Sequence, residues 1–173
     1  MNSKTITYII STPFTIIGLV IVIFILAYII FSNTFISPQE KIIKSVGSNY
    51  ECINYCSAGF RDYTDYYVFS YKKPKIEDAE KFQKVDDTSE IEIYINDFNS
   101  WADNHRDEEF KSYDFDTDII DSSDYYYIFD KSTEDDLYSK YDYYDIYLFD
   151  SQTELLYYFH NDIWFIHLIY QEK

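Results

Sequence analysis

Apolar side chains follow three different rhythms along this chain, and each predicts a different kind of element. From Phe14 to Phe31 the run is continuous, with only Thr15 and Gly18 interrupting large apolar residues. Extended back to Tyr8 it spans 24 residues, which as a helix would reach roughly 36 Å at about 1.5 Å per residue. A bilayer core of about 30 Å needs some 20 such residues. A helix also satisfies every backbone group inside lipid. Tyr8 to Phe31 is therefore predicted to be a single membrane-spanning helix. A cleaved signal peptide fits less well, because its apolar region is shorter and a small-x-small site should follow; Ser32-Asn33-Thr34 is the nearest imitation.

The second rhythm is helical. Ser37-Pro38-Gln39-Glu40 reads as an N-cap, a proline at the first helical position and an acidic residue three after the cap. Ile42, Ile43 and Val46 give this short helix an apolar face, and Gly47 is a natural stop. Pro74 to Val85 is predicted as a second helix, with acids early and Lys81 and Lys84 late, as the helix dipole prefers. Asp87-Thr88-Ser89-Glu90 repeats the capping pattern. Ile91, Tyr94, Ile95, Phe98, Trp101 and Ala102 then follow the i, i+3, i+4, i+7 rule, which outweighs a competing strand over 91–95.

The third rhythm belongs to strands, rich in aromatic and β-branched residues. Asn49 to Cys56 and Tyr63 to Tyr71 are predicted strands, with Ser57-Ala58-Gly59 supplying the turn between them. Alternation over 113–118 predicts another. Tyr125 to Phe129, Tyr143 to Phe149, Leu155 to His160 and Ile163 to Tyr170 complete the set, the last placed centrally because it is apolar on both sides. Asp150 to Glu154 forms one hairpin connection and Asn161-Asp162 a tighter one. Helices early and strands late predict an α+β fold: an N-terminal single transmembrane helix, then a domain with about three helices and a mainly antiparallel sheet of five to six strands. The expected division is a membrane anchor over 1–36 and an acidic, Tyr-rich domain over 37–173.

Charge sharpens that division. Of 173 residues, 14 are basic and 31 acidic, a net charge of −17. Only Lys4 is charged in the first 31 residues, so nearly the whole imbalance lies in the C-terminal region. Such a body is unsuited to gripping phosphate backbones, and no nucleic-acid partner is expected. With 3 Gly in the chain, a Gly-rich phosphate loop is nearly impossible on supply alone. Lys4 before the apolar run and Lys41 and Lys44 after it leave the positive-inside count tied. The expected extracytoplasmic placement of the domain rests on the usual topology of such anchors.

Candidate chemistry is sparse. Cys52 and Cys56 form a lone C-x-x-x-C, short of a zinc set and one residue too wide for a redox C-x-x-C. The spacing leaves open both a local disulfide and two unpaired thiols. Asp114-Phe-Asp116-Thr-Asp118 begins like an EF-hand loop, but Ile119 stands where Gly is required and Tyr125 where the bidentate Glu belongs. An acidic solvent face on an edge strand, with Phe115 and Thr117 inward, explains that spacing better. The acidic runs Asp107-Glu108-Glu109 and Glu134-Asp135-Asp136 read as solvated loops. His105, His160 and His167 have no nucleophile motif beside them. No catalytic, cofactor-binding or metal-ligating residue is assigned, and no cofactor is expected. Tyr, at 21 residues, is a residue of binding surfaces, but an AT-rich coding bias also raises it.

The reading these observations support is a membrane-anchored, non-enzymatic protein whose acidic aromatic domain binds a basic protein or peptide through charge complementarity. The alternative is a cell-envelope enzyme such as a carboxylate-dependent hydrolase. An enzyme should show a deep pocket of converging acids or His with strongly shifted pKa values. A binding module should show an aromatic groove rimmed by acids.

Overall fold

The structure, a computed structural model, describes residues 17–26, 36–58, 63–106, 109–134 and 140–162. The chain divides into two compact units, Met1–Lys41 and Ile42–Lys173. In the first unit residues 17–26 are helical (α1), with exposed side chains that include Leu19 and Phe24. The remainder of the Tyr8 to Phe31 stretch lies outside the described residues. No helix among the described residues is long and apolar enough to cross a membrane. Helix α2, Pro38–Val46, begins as its sequence dictates: Ser37 Oγ accepts the Glu40 N–H at 3.1 Å, with Pro38 at the first helical position.

In the second unit the described residues build one antiparallel sheet of six strands. These are β1 (Tyr50–Ala58), β2 (Tyr63–Tyr71), β3 (Gln83–Lys84), β4 (Tyr125–Asp130), β5 (Tyr143–Asp150) and β6 (Leu155–Asp162), in the order β1-β2-β6-β5-β4-β3. Helix α3, Ser89–His105, covers one face. The fold class is therefore α+β, with three helices among the described residues.

Strand pleat assigns side chains to faces. Tyr66 and Val68 of β2, Phe159 of β6, Tyr144, Ile146 and Leu148 of β5 and Tyr126 of β4 meet Ile91, Tyr94, Ile95, Phe98 and Ala102 of α3. This is the α3 face. The alternate residues Phe69, Tyr71, Leu156, Tyr158, Tyr147 and Phe149 form the other, where Ile42, Ile43 and Val46 of α2 pack with Ile76 and Ala79. Burial of side chains this large, at roughly 1.5–3 kcal/mol each, is what holds the helices to the sheet. Gly47 ends α2 where a Cβ would lie 3.0 Å from the Tyr71 ring, so a larger residue would require that ring to shift by a few tenths of an ångström.

Three sequence expectations are corrected. The helix over 74–85 is instead a short 3-10 turn, Ile76–Asp78, followed by β3. The reason is tertiary. Ile76 and Ala79 pack on the α2 face while Val85 packs on the α3 face, so the segment must pass around the sheet edge, which no straight helix can do. The strand over 113–118 is a loop with a 3-10 turn, Thr117–Ile119, because the Asp116 side chain accepts the Asp118 N–H at 3.0 Å and bends the backbone. Phe115 does point inward, against Tyr157 and Phe159. The tight turn at Asn161-Asp162 is strand: Asn161 pairs with Thr64 and Tyr144, and its buried amide takes the Thr64 hydroxyl and donates to the Tyr141 carbonyl. The central position belongs to β6 and β5; the expected strand Ile163 to Tyr170 lies outside the described residues.

Turns reveal what many of the acids do. Asp116, Asp121, Asp130 and Asp150 each accept the backbone N–H two residues ahead, at 2.6–3.0 Å. These are Asx turns, the device by which a chain nearly devoid of glycine reverses direction. Asp150 also takes the Thr153 N–H and hydroxyl, and Glu154 adopts a positive φ of 58° to close the β5–β6 hairpin.

Candidate functional site

Strand β3 pairs with only Tyr125 and Tyr126, two residues of the six in β4. Beyond them Tyr127–Asp130 has no strand on its outer side among the described residues. A cavity of about 360 Å³ opens there, walled by Tyr94, Tyr126, Tyr127 and Phe129, with the buried Asp130 carboxylate at its inner side and Glu90, Lys81 and Gln83 at its exposed margin. Pleat puts Tyr126 on the α3 face and Tyr127 on the other, so an edge cavity sees rings from both. Glu90 and Tyr94, one turn apart on α3, bring the rest.

The polar groups are paired in a fixed sense. Tyr94 donates its hydroxyl to Asp130 Oδ2 at 2.8 Å, and Tyr126 donates to Glu90 Oε2 at 3.3 Å. Asp130 Oδ1 also accepts the Ser132 N–H and hydroxyl. Burial, then the bond and charge of Asp130, push the Tyr94 phenol well above its ordinary range. Burial and then Glu90 push Tyr126 up. Both phenols therefore stay protonated as donors. What the cavity offers a ligand is aromatic faces and carboxylate charge, a setting for an ammonium or guanidinium group.

The chain already uses that chemistry on itself. Lys81 Nζ lies 5.0 Å from the Tyr127 ring centre and 3.5 Å from its hydroxyl. Lys140 Nζ lies 5.9 Å from the Tyr94 ring and 5.0 Å from that of Tyr141.

A second constellation lies on the α2 face, within the sheet. Five tyrosines stack across one rung of five strands: Tyr55, Tyr67, Tyr158, Tyr147 and Tyr127, with ring centres 6.1, 6.0, 4.7 and 5.8 Å apart in turn. On the adjacent rung His160 stands between Asp65 and Asp145. Its Nδ1 lies 2.8 Å from Asp145 Oδ1, which also accepts the Tyr158 hydroxyl at 2.7 Å. Burial alone would lower the His160 pKa. The bond and charge of Asp145, with Asp65 and Asp162, outweigh it and hold the imidazole above its usual value. Burial drives the Tyr158 phenol far above the ordinary range, so it is no nucleophile.

The other expected residues separate. Ile53 is a bulge in β1: Cys52 pairs with Phe69, whereas Asn54 pairs with Val68. The extra residue flips the pleat, placing Cys52 on the α2 face and Cys56, opposite Tyr66, on the α3 face. Both thiols are free. Asp114 accepts an amide hydrogen bond from Asn54 and Asp116 builds its turn. No group of His, Cys, Asp and Glu among the described residues could hold a metal ion. The His105 ring stacks on Trp101 at 4.0 Å, with Nδ1 2.9 Å from the Trp101 carbonyl oxygen at the end of α3. Glu109 and Glu134 are exposed; Asp107, Glu108, Asp135, Asp136 and His167 lie outside the described residues.

None of the residues that build the edge cavity stood out in the sequence as a site. Glu90 read as a capping residue, yet the N-cap, Thr88, makes no side-chain capping bond and Glu90 faces Tyr126. The one available signal was the Glu90–Tyr94 spacing of one helical turn. No protein-family model matches the chain, and no characterised protein or solved structure shows significant similarity to it.

Proposed function

We propose that the protein is a non-enzymatic, membrane-anchored recognition module whose acidic domain holds a basic protein or peptide. The observation that carries this reading is the edge cavity: tyrosine walls, the carboxylates of Glu90 and Asp130, and a lysine of the chain itself resting on one of its rings. A net charge of −17 adds long-range attraction for a cationic partner. The anchor is assigned to Tyr8 to Phe31, whose helical residues 17–26 expose apolar side chains suited to lipid. The domain over 37–173 is assigned to the extracytoplasmic side.

A carboxylate-dependent hydrolase has less support. Asp145 is committed to Tyr158 and His160, and neither that aspartate nor its histidine lines the edge cavity.

Flotation tests both halves of the reading. The full chain is reconstituted into vesicles of zwitterionic phosphatidylcholine and mixed with a fluorescent lysine-rich peptide. Chain and peptide are expected to float together at low salt, with the peptide released at about 0.5 M salt, where the screening length falls to a few ångströms. Glu90→Lys should weaken capture by about tenfold. Capture indifferent to salt and to Glu90→Lys would refute the electrostatic reading; a chain left in the aqueous layer would refute the anchor.

A further inference from the structure

We propose that the partner enters as an added β-strand along the outer edge of β4, an extended segment alternating basic and apolar residues. This rests on the basic-partner reading and names its mode. The register decides which backbone groups are offered. Val85 N–H donates to Asp124 O at 2.9 Å, and Gln83 sits opposite Tyr126. Continuing this two-residue alternation, Ile128 and Asp130 turn their N–H and C=O groups outward, while Tyr127 and Phe129 bond to β5. The Asp130 carbonyl is taken by the Thr133 hydroxyl at 2.7 Å. Both Ile128 groups and the Asp130 N–H have no backbone partner among the described residues. Strand β3 cannot supply one, because the chain turns away before Gln83, with Phe82 N–H bonded to Ala79 O.

The cavity is lined by Ile128, Phe129 and Asp130 of this open edge, where the added strand would run. Its two sides differ. An incoming residue on the α3 side meets Glu90 and Asp130 beside Tyr94 and Tyr126. Its neighbour, on the opposite side, meets Phe129 and Tyr127, whose ring Lys81 already faces, so a further cation is disfavoured there and an apolar side chain suits it. Period-two alternation of cationic and apolar side chains matches that difference.

The opposite edge of the sheet is longer but is protected. Strand β1 carries the Ile53 bulge, and its Tyr55 carbonyl accepts the Ser112 hydroxyl at 3.3 Å. Bulges and capped carbonyls are how proteins close edges to pairing. The β4 edge has neither between Tyr127 and Ile128.

The test uses the full chain in vesicles of zwitterionic lipid and two probes. One is the acetylated, amidated hexapeptide Lys-Val-Lys-Val-Lys-Val; the other is the same peptide N-methylated on its two central residues, which blocks both of its edges without changing its charge. The first should bind at least about tenfold more tightly, as expected for one or two lost amide hydrogen bonds. Equal binding would overturn strand addition and leave the charged cavity as a binder of side chains alone. Binding of neither probe would overturn the underlying reading, and this proposal with it.

Discussion

Both faces of the sheet bury tyrosines whose phenols reach an acceptor, Tyr94, Tyr126 and Tyr144 on the α3 face and Tyr71 and Tyr158 on the α2 face. Yet Tyr66 on the first and Tyr158 on the second meet the problem of the phenol oxygen in opposite ways. At the centre of the α3 face Phe98 meets Phe110, Tyr113 and Phe159 at 5.2–6.0 Å. There Tyr66 is fully buried with a hydroxyl that has no hydrogen-bond partner among the described residues. On the α2 face the rings stack in a row, and the hydroxyl of Tyr158 is passed to Asp145 and so to His160. The lesson is that Tyr and Asp abundance forms one system where an acceptor stands on the next rung, and a liability where it does not. A buried donor left unmade costs about 1–3 kcal/mol, while a made one contributes about 1.

The largest effect should come from cutting the paired phenol. Tyr158→Phe keeps the ring stack but removes the donor to Asp145, leaving that buried carboxylate with His160 as its side-chain partner among the described residues. Urea unfolding of the full chain in detergent should show a loss of about 1–3 kcal/mol. A loss below about 0.5 kcal/mol would mean that the stack alone holds this face, and the contrast with Tyr66 would fail.

How much of this was legible beforehand follows from range. Local signals served well: β2 spans Tyr63–Tyr71 as its composition predicts, and Ser37 caps α2. Signals overruled by tertiary context misled, as at 74–85, where good helical charge placement lost to the need for Ile76 and Val85 to reach opposite faces. The carboxylates over 114–118 alternated like a strand, but Asp116 had a local bond to make that alternation does not reveal. The edge cavity was invisible because it joins Glu90 and Tyr94 on α3 to Tyr127 and Asp130 on β4, more than 30 residues on. Only strand order and register bring them together. The tyrosine row is of the same kind: five residues on five strands that no spacing rule connects.

A middle-sized effect should be pH-dependent and confined to the α2 face. The folded pKa of His160 is raised, so its stabilising charge is fully present below the unfolded value of about 6.5 and is lost as pH rises through the folded value. Unfolding free energy should therefore fall as pH rises above about 6.5, by of order 1 kcal/mol, the difference between a charge-assisted and a neutral hydrogen bond. His160→Gln should flatten that slope. The raised phenols on both faces titrate only above pH 10 in the unfolded chain, so they leave this window clear. An unchanged slope in His160→Gln would assign the pH dependence elsewhere and remove the rung from the account.

The smallest effect should carry the opposite sign, and it tests the comparison most directly. Tyr66 and Tyr158 are both buried on the sheet, two strands that are neighbours, and the same Tyr→Phe change removes the same atom from each. At Tyr158 that atom is a bonded donor; at Tyr66, whose ring packs on Tyr113 and Phe159, it has no hydrogen-bond partner among the described residues. Asp114 lies close enough to raise the Tyr66 phenol by its charge, yet makes no bond to it. Deleting an unpaired buried hydroxyl removes its desolvation penalty and leaves ring packing intact. Tyr66→Phe should therefore be neutral or stabilising by up to about 1 kcal/mol in the same urea titration. Destabilisation by more than about 1 kcal/mol would mean that the hydroxyl finds a partner after all, and the contrast between Tyr66 and Tyr158 would be lost.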